Sequence, residues 1–409
     1  MLPDYNPDMD NREKDMEKVD TYNVKQADIV IGIPSYNEAD NIAFVVEQCN
    51  SGLQTYFRDY SSVIINVDNN SPDDTRSAFL SAVNTIPKIY ISTEPGVTGK
   101  GNNFYNLFRE ASRLQAKAVI VVDADITSIT PDWVLSLASP ILKDGYHFVT
   151  PVYSRHEYDG TITNNICYPL LYGLLGKNIR QPIGGDFAFS GDLARYFLDQ
   201  QWYETTFQYG IDIFMTLNAL LARFPACQAG LGAKCHKPSA PKLGPMFIQV
   251  VNTLFQTLLR EKEHWLDMKD VENLPILGGN HTVSPQQLCI DYKTIRKTAL
   301  AEYAKEEEKL RNILSPEVFS ELALMFKARN IYITSRMWTQ IVYDFLYAYE
   351  KNNHSEHIVE SLKPLYFGRV VTFIKETLDL DHSDSEIKIQ DQARHFFENR
   401  DYLISRFKN

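Results

Sequence analysis

Between residues 28 and about 150, short apolar runs alternate four times with amphipathic segments, and this constrains the fold more than any other feature. "DIVIGIP", "SVIINVDNN", "KIYIST" and "AKAVIVVDAD" read as strands. Each is followed by a segment of helical period: "EADNIAFVVEQCN", "PDDTRSAFLSAV", "GNNFYNLFREASRLQ" and "TPDWVLSLASPIL". The last opens with a Thr cap and a Pro at the first helical position. Strands this continuously apolar are buried on both faces. They imply an α/β, mostly parallel, Rossmann-like sheet with helices on either side. Ligands of such sheets bind beyond the carboxyl ends of the strands.

Residues 151 to about 240 are richer in loops and aromatics and read as the second half of the same domain. From about 245 the helical period dominates, through "QVVNTLFQTLLREKEHWLDM" to "IVESLKPLYFGRVVTFIKETL". The expected division is a polar tail over 1–26, a catalytic domain over 27–244 and a mainly helical region over 245–409. In the helical region, the aromatic-rich "LKPLYFGRVVTF" reads as core or interface packing, the alternative being that Tyr366 or Arg369 caps the site. The long helices rich in Tyr and Phe suggest a homodimer.

Composition excludes several classes. The net charge of −11, with no Lys/Arg block, argues against nucleic-acid or anionic-membrane partners. The first 26 residues are acidic and polar, so no secretory leader is expected, and no apolar run is long enough to span a bilayer. The five scattered cysteines (Cys49, Cys167, Cys227, Cys235 and Cys289) form no CxxC pair and read as reduced thiols of a cytoplasmic protein.

The chemistry-bearing residues fall in the strand-end loops. Pro34, Ser35, Tyr36, Asn37 and Glu38 follow the first strand, and Asp68 closes the second. "PGVTGKGNN" follows the third, and Asp123 and Asp125 the fourth. In a parallel sheet all four loops share one edge. A lone D-x-D is a common motif, readable as a helix cap and a solvated acid. Two carboxylates one residue apart oppose each other's ionisation, and a divalent cation beside them makes the pair tolerable. Oxygen ligands favour Mg²⁺ or Mn²⁺. "GVTGKGNN" fails the Walker spacing, yet Lys100 between glycines at a helix N-terminus suits a phosphate.

Taken in this order and spacing, "IGIPSYNEADNI", "NVDNNSPDDT", "GKGNN" and "VVDADI" resemble the nucleotide-binding half of GT-A glycosyltransferases. "PIGGDFAFSG", "YGIDIFMTLNAL" and "GLGAKCHKP" look like the acceptor loop, active-site helix and metal-binding histidine of a retaining branch. That branch includes glucosyl-3-phosphoglycerate and mannosylglycerate synthases. The resemblance implies that Pro34, Tyr36, Glu38, Asp68, Lys100, Asp123 and Ala124 bind the nucleotide sugar. It implies Asp125 and His236 as metal ligands, and Gly184, Gly185, Asp186 and Arg155 as acceptor-binding. Tyr209, Asp212 and Asp123 would serve the chemistry. Two positions depart from the branch: its glutamate after Gly-Gly is Asp186 here, and its active-site glutamate is Asp212.

The implied activity is metal-dependent transfer of a hexose from GDP-mannose or UDP-glucose to a small polar acceptor such as glycerate, phosphoglycerate or a glucosylglycerate, with retention. Alternatives are an inverting transferase with Asp212 as base, a sugar nucleotidyltransferase, and a sugar-nucleotide-binding protein without turnover. Without the resemblance, His236 in "KCHKP" reads as an ordinary hydrogen-bonded histidine, and Cys235 lacks zinc-spaced partners.

Overall fold

Ile29, Ile31 and Ile33 alternate with Val30 along one strand, and the two sets feed separate cores. In the computed structural model, which describes residues 16–237, 243–278, 285–286, 288 and 290–408, this strand lies within a nine-stranded sheet. The strands are, in chain order, β1 (Lys18–Val19), β2 (Ile29–Ser35), β3 (Ser62–Asp68), β4 (Lys88–Ser92), β5 (Ala118–Val121) and β6 (Phe148–Ser154). β7 (Lys177–Asn178), β8 (Phe187–Ser190), β9 (Ala226–Ala233), β10 (Glu272–Asn273) and β11 (Ile276–Leu277) follow. The large sheet runs β1-β4-β3-β2-β5-β8-β6-β9-β11, while β7 and β10 pair separately.

The isoleucine face of β2 packs with Val45, Val46 and Leu53 of the helix Ile42–Tyr56 and with Trp133 and Leu137 of the helix Pro131–Lys143. The opposite face carries Val30, Val63 and Val67 against Phe104, Leu107 and Phe108 of the helix Lys100–Arg113. Gly32 makes that approach close: a Cβ there would lie 2.2 Å from Leu107 Cδ2. The four sequence-expected β-α units are all present, and β2 pairs in parallel with both β3 and β5.

Two strands break the parallel pattern. β8 runs antiparallel to both β5 and β6, pairing Val121 with Phe187. The reversal puts the loop entering β8 at the same rim as the loop leaving β5. β1 pairs antiparallel with β4, so residues 18–19 of the expected tail close a sheet edge. Lys18 there bonds Glu110 at 2.7 Å.

Contacts divide the chain into two units by a different route from a single cut at 244. Among the described residues, the first holds those within 1–154, 183–239 and 275–283, and the second those within 155–182, 240–274 and 284–409. The second unit is helical, as its period predicts. Its helix Glu356–Thr377 is buried on nearly all sides. Within it Tyr366 is 0 % exposed, bonds Thr161 at 2.6 Å and stacks on Phe247. The Arg369 guanidinium is taken up by Gln392, the Ile333 carbonyl and Glu376. Both residues therefore pack, in line with the packing reading of their stretch. Cys49, Cys167 and Cys227 are buried, Cys235 is half-buried, and Cys289 lies outside the described residues. No helix among the described residues is long and apolar enough to cross a membrane.

Candidate active site

The rim above β2, β3, β5, the start of β8 and the end of β9 gathers most of the singled-out residues of the first unit. Asp123 lies at its centre. Its backbone N–H donates to Asp186 Oδ1 at 2.9 Å, a bond that exists because β8 is antiparallel to β5. Its carboxylate sits between two ammonium groups, Lys100 Nζ at 2.9 Å and Lys234 Nζ at 3.6 Å. Burial alone would raise the Asp123 pKa, but these lysines hold it well below the usual range. Lys100 also pairs with Asp212 at 3.3 Å. Despite its burial, the Lys100 ammonium is held firmly protonated by Asp123 and Asp212. Burial pushes Asp212 upward against the pull of Lys100.

Lys234 is the main residue that sequence reading missed. It is 6 % exposed and donates to the Gly184 carbonyl at 2.7 Å. It also lies 3.2 Å from Asp186 Oδ2 and over the Tyr153 ring. Tyr153 in turn donates to Asp186. The available signal was a lysine immediately beyond an apolar strand, two positions before the chosen histidine.

The loops that carry Asp125 and His236 are tied together by two hydrogen bonds. Thr127 N–H donates to the Cys235 carbonyl at 2.9 Å, and Cys235 N–H to Ser128 Oγ at 2.9 Å. Burial first, and then the Asp123 charge, raise Asp125 above its ordinary value, while His236 and Lys234 act against the rise. Asn41, also not singled out, clamps the acidic loop by donating to the Ala124 and Ile126 carbonyls. Glu38 is lifted by burial and by Asp125, and is held by Lys237 at 2.7 Å.

Several expectations acquire a different physical content. Asp68 is fully buried and accepts from Ser35 Oγ, Ser71 N, Ser71 Oγ and Tyr90 Oη. Those donors fill the four acceptor sites of a carboxylate, so Asp68 holds the loop after β3 in shape rather than presenting a free oxygen to a base. Asp68→Ala is expected to lower stability by about 2–4 kcal/mol, read as a fall in the thermal midpoint. An unchanged midpoint would refute the holding role.

The "GKGNN" turn is likewise not an open phosphate cradle. Gly101 N–H donates to the Gln208 carbonyl and Asn102 N–H to the Phe207 carbonyl. A Cβ on Gly101 would lie 2.0 Å from the Thr206 carbonyl oxygen. The glycines seat the turn before the helix Ile211–Leu221, which carries Asp212 and follows half-buried Tyr209. Gly185 is as constrained. Its φ is +88°, and a Cβ would lie 2.1 Å from Asp123 Oδ2. Gly185 thus admits Asp123 and Lys234, and Gly184 offers Lys234 its carbonyl.

Ala124 is buried, with its carbonyl engaged by Asn41. Pro34 is buried inside β2, and Tyr36 is 47 % exposed at its end. Arg155 falls in the second unit, where it pairs with Asp159 at 2.6 Å.

The donor set fits a divalent cation. The four carboxyl groups of Asp123, Asp125, Asp186 and Asp212 outnumber the two ammonium groups, Lys100 and Lys234, that lie among them. No group of three or more His, Cys, Asp or Glu among the described residues forms a metal cage. A cation held by Asp125 and His236 would therefore complete its shell with substrate oxygens, the usual arrangement for Mg²⁺ with phosphates.

Residues 30–201 match the family model for glycosyl transferase family 2. No curated protein matches the chain. Among solved structures, it is similar to glucosyl-3-phosphoglycerate synthase from Mycobacterium tuberculosis in complex with Mn²⁺, uridine diphosphate and phosphoglyceric acid. That likeness has 23% identity over 56% of this chain and 78% of that one, at a TM-score of 0.46. The same synthase with Mn²⁺, uridine diphosphate and glucosyl-3-phosphoglycerate gives 25% identity over 56% and 80%, at 0.46. A mycobacterial protein gives 27% over 56% and 74%, at 0.45. The fold and the family match define a glycosyltransferase of GT-A architecture. The likeness to glycosyl transferase family 2 is confined to residues 30–201, less than half of the chain.

Proposed function

We propose that the protein transfers a hexose from a nucleoside-diphosphate sugar, GDP-mannose or UDP-glucose, to a small hydroxyl acceptor such as glycerate, phosphoglycerate or a glucosylglycerate, with retention at the anomeric carbon. The observation that carries this reading is the charge arrangement around Asp123. Two ammonium groups, buried Lys234 and half-buried Lys100, flank a carboxylate beside the Asp125–His236 pair, at the rim where such sheets bind ligands.

Asp125 and His236 would hold Mg²⁺ or Mn²⁺, whose chemistry is to offset charge developing on a departing diphosphate. Lys100 would add a positive charge to the same oxygens once a donor competes with Asp123 and Asp212 for it. Asp123 and Asp186, fixed by Lys234, would orient the sugar hydroxyls. Tyr36 would present its exposed ring to the nucleotide base, and Glu38 would sit by the ribose. Gly184 and Gly185 would border the acceptor. Asp212 is tied to Lys100 and raised by burial, so it would orient the acceptor hydroxyl without acting as a strong base. Tyr209 would close the same side. Retention fits this set, because the acceptor can attack on the face that the diphosphate leaves.

The direct test is a donor screen with Mg²⁺ or Mn²⁺, reading released nucleoside diphosphate, followed by an acceptor panel for the responding donor. Release is expected only with metal, and an NMR spectrum of the product should show the donor's anomeric configuration. Full activity in EDTA would remove the metal role. Inverted product together with loss of activity in Asp212→Asn would instead make Asp212 the base. Nucleotide binding without product from any pairing would leave a binding protein.

A further inference from the structure

In the second unit, the helices Tyr292–Ile313 and Pro316–Lys327 border an open groove of about 1000 Å³, a size suited to a small molecule. Its lining is divided by chemistry. Leu300, Ala304 and Leu324 give an apolar wall, and Leu324 is 69 % exposed. Arg296, Lys297, Lys327 and Arg329 give a cationic rim, with Glu307 as the one acidic residue of the lining.

On a chain of net charge −11 this concentration is unusual, and none of the four rim cations has a carboxylate partner among the described residues. Arg296 instead donates to the Arg329 carbonyl. Lys375 nearby bonds the Ile331 carbonyl at 2.9 Å and is pushed below its ordinary pKa by burial and by Arg296. Arg296 thus adds to the positive charge that faces Lys375.

A second observation is independent of charge. Tyr303 lines the groove, is 4 % exposed and stacks on Phe326 at 3.8 Å between ring centroids. Its hydroxyl is buried with no hydrogen-bond partner among the described residues. A buried hydroxyl without a partner is costly, so a ligand oxygen that accepts from it would be favoured.

We propose that this groove binds a small amphipathic molecule with a phosphate monoester head. The rim cations take the phosphate, Tyr303 donates to an oxygen of the head, and the Leu300–Leu324 wall receives the apolar body. Guanidinium groups and lysines together suit a dianionic phosphate better than a carboxylate or a neutral head. The site is distinct from the sugar-transfer rim and does not depend on that reading.

Calorimetry on the full chain, with octyl phosphate below its micellar concentration, tests this directly. Octyl glucoside, inorganic phosphate and phosphatidylcholine–phosphatidylglycerol vesicles serve as comparisons. Octyl phosphate is expected to bind at least about ten-fold more tightly than octyl glucoside or inorganic phosphate, and less tightly as salt rises. Lys297 and Lys327 are exposed, so the double variant Lys297→Gln/Lys327→Gln should fold normally and lose at least about ten-fold in affinity. Tyr303→Phe keeps the ring stack and is expected to lose about three-fold or more. Equal binding of octyl phosphate and octyl glucoside would overturn the proposal, as would unchanged affinity in these variants. Vesicle binding without binding of soluble octyl phosphate would overturn it too, by making the surface a membrane contact.

Discussion

Asp125→Ala is expected to reduce metal-dependent release of nucleoside diphosphate by at least about three orders of magnitude. It should leave the folded state intact or more stable. Both halves follow from the same local electrostatics. Burial and the adjacent Asp123 charge push Asp125 above its ordinary value. A carboxyl whose pKa is raised by folding binds protons more tightly when folded, so its ionised form costs stability above the unfolded pKa. Removing the group removes that cost, whereas a bound cation offsets it in the unaltered protein. Mn²⁺ should therefore raise the thermal midpoint of the unaltered protein and leave that of Asp125→Ala unmoved. Activity within about ten-fold of the parent would exclude Asp125 as a metal ligand.

Gly185→Ala is expected to cost about a hundred-fold or more in turnover while the fold persists. The new methyl would overlap Asp123 Oδ2, which lies 2.1 Å from its ideal position. Asp123 would have to leave the place where Lys100 and Lys234 hold it. A displacement of about 1 Å in a positioned reacting group is enough for a loss of that size. The positive φ of Gly185 adds about 1–2 kcal/mol of backbone strain, and a second glycine separates the two effects. Gly145 has φ +74° with nothing within 4 Å of the point an added Cβ would occupy, so Gly145→Ala carries strain alone. Both variants should melt lower, but only Gly185→Ala should lose turnover. Equal loss of activity in the two would mean that strain, and not Asp123, is responsible.

Much of the first unit was legible because strands and helices are local patterns. Seven consecutive buried residues in β2 can be read from "IVIGIPS", and the D-x-D pair advertises itself by like charges in sequence. Other roles depended on distant partners. "FAFS" contains nothing that makes β8 antiparallel between β5 and β6, yet that reversal brings Asp186 to Asp123. Lys234 looks like any loop lysine until its ammonium is found among two carboxylates and a carbonyl. The glycines around Lys100 suggested an exposed phosphate turn, whereas backbone from residues 206–208 fills the space. Asp68 was placed at the correct strand end, but its acceptor sites are taken by side chains from β2, β4 and its own loop and by a backbone N–H of that loop.

The amino-acid order by itself determined the alternating α/β layers, the rim where chemistry collects and the acidic pair at its centre. These follow from burial periodicity and from the cost of placing like charges together. Only the tertiary structure decided which charges neutralise one another and which oxygens remain free. Pairing between distant segments is set by strand order and packing, which no local stretch of sequence encodes.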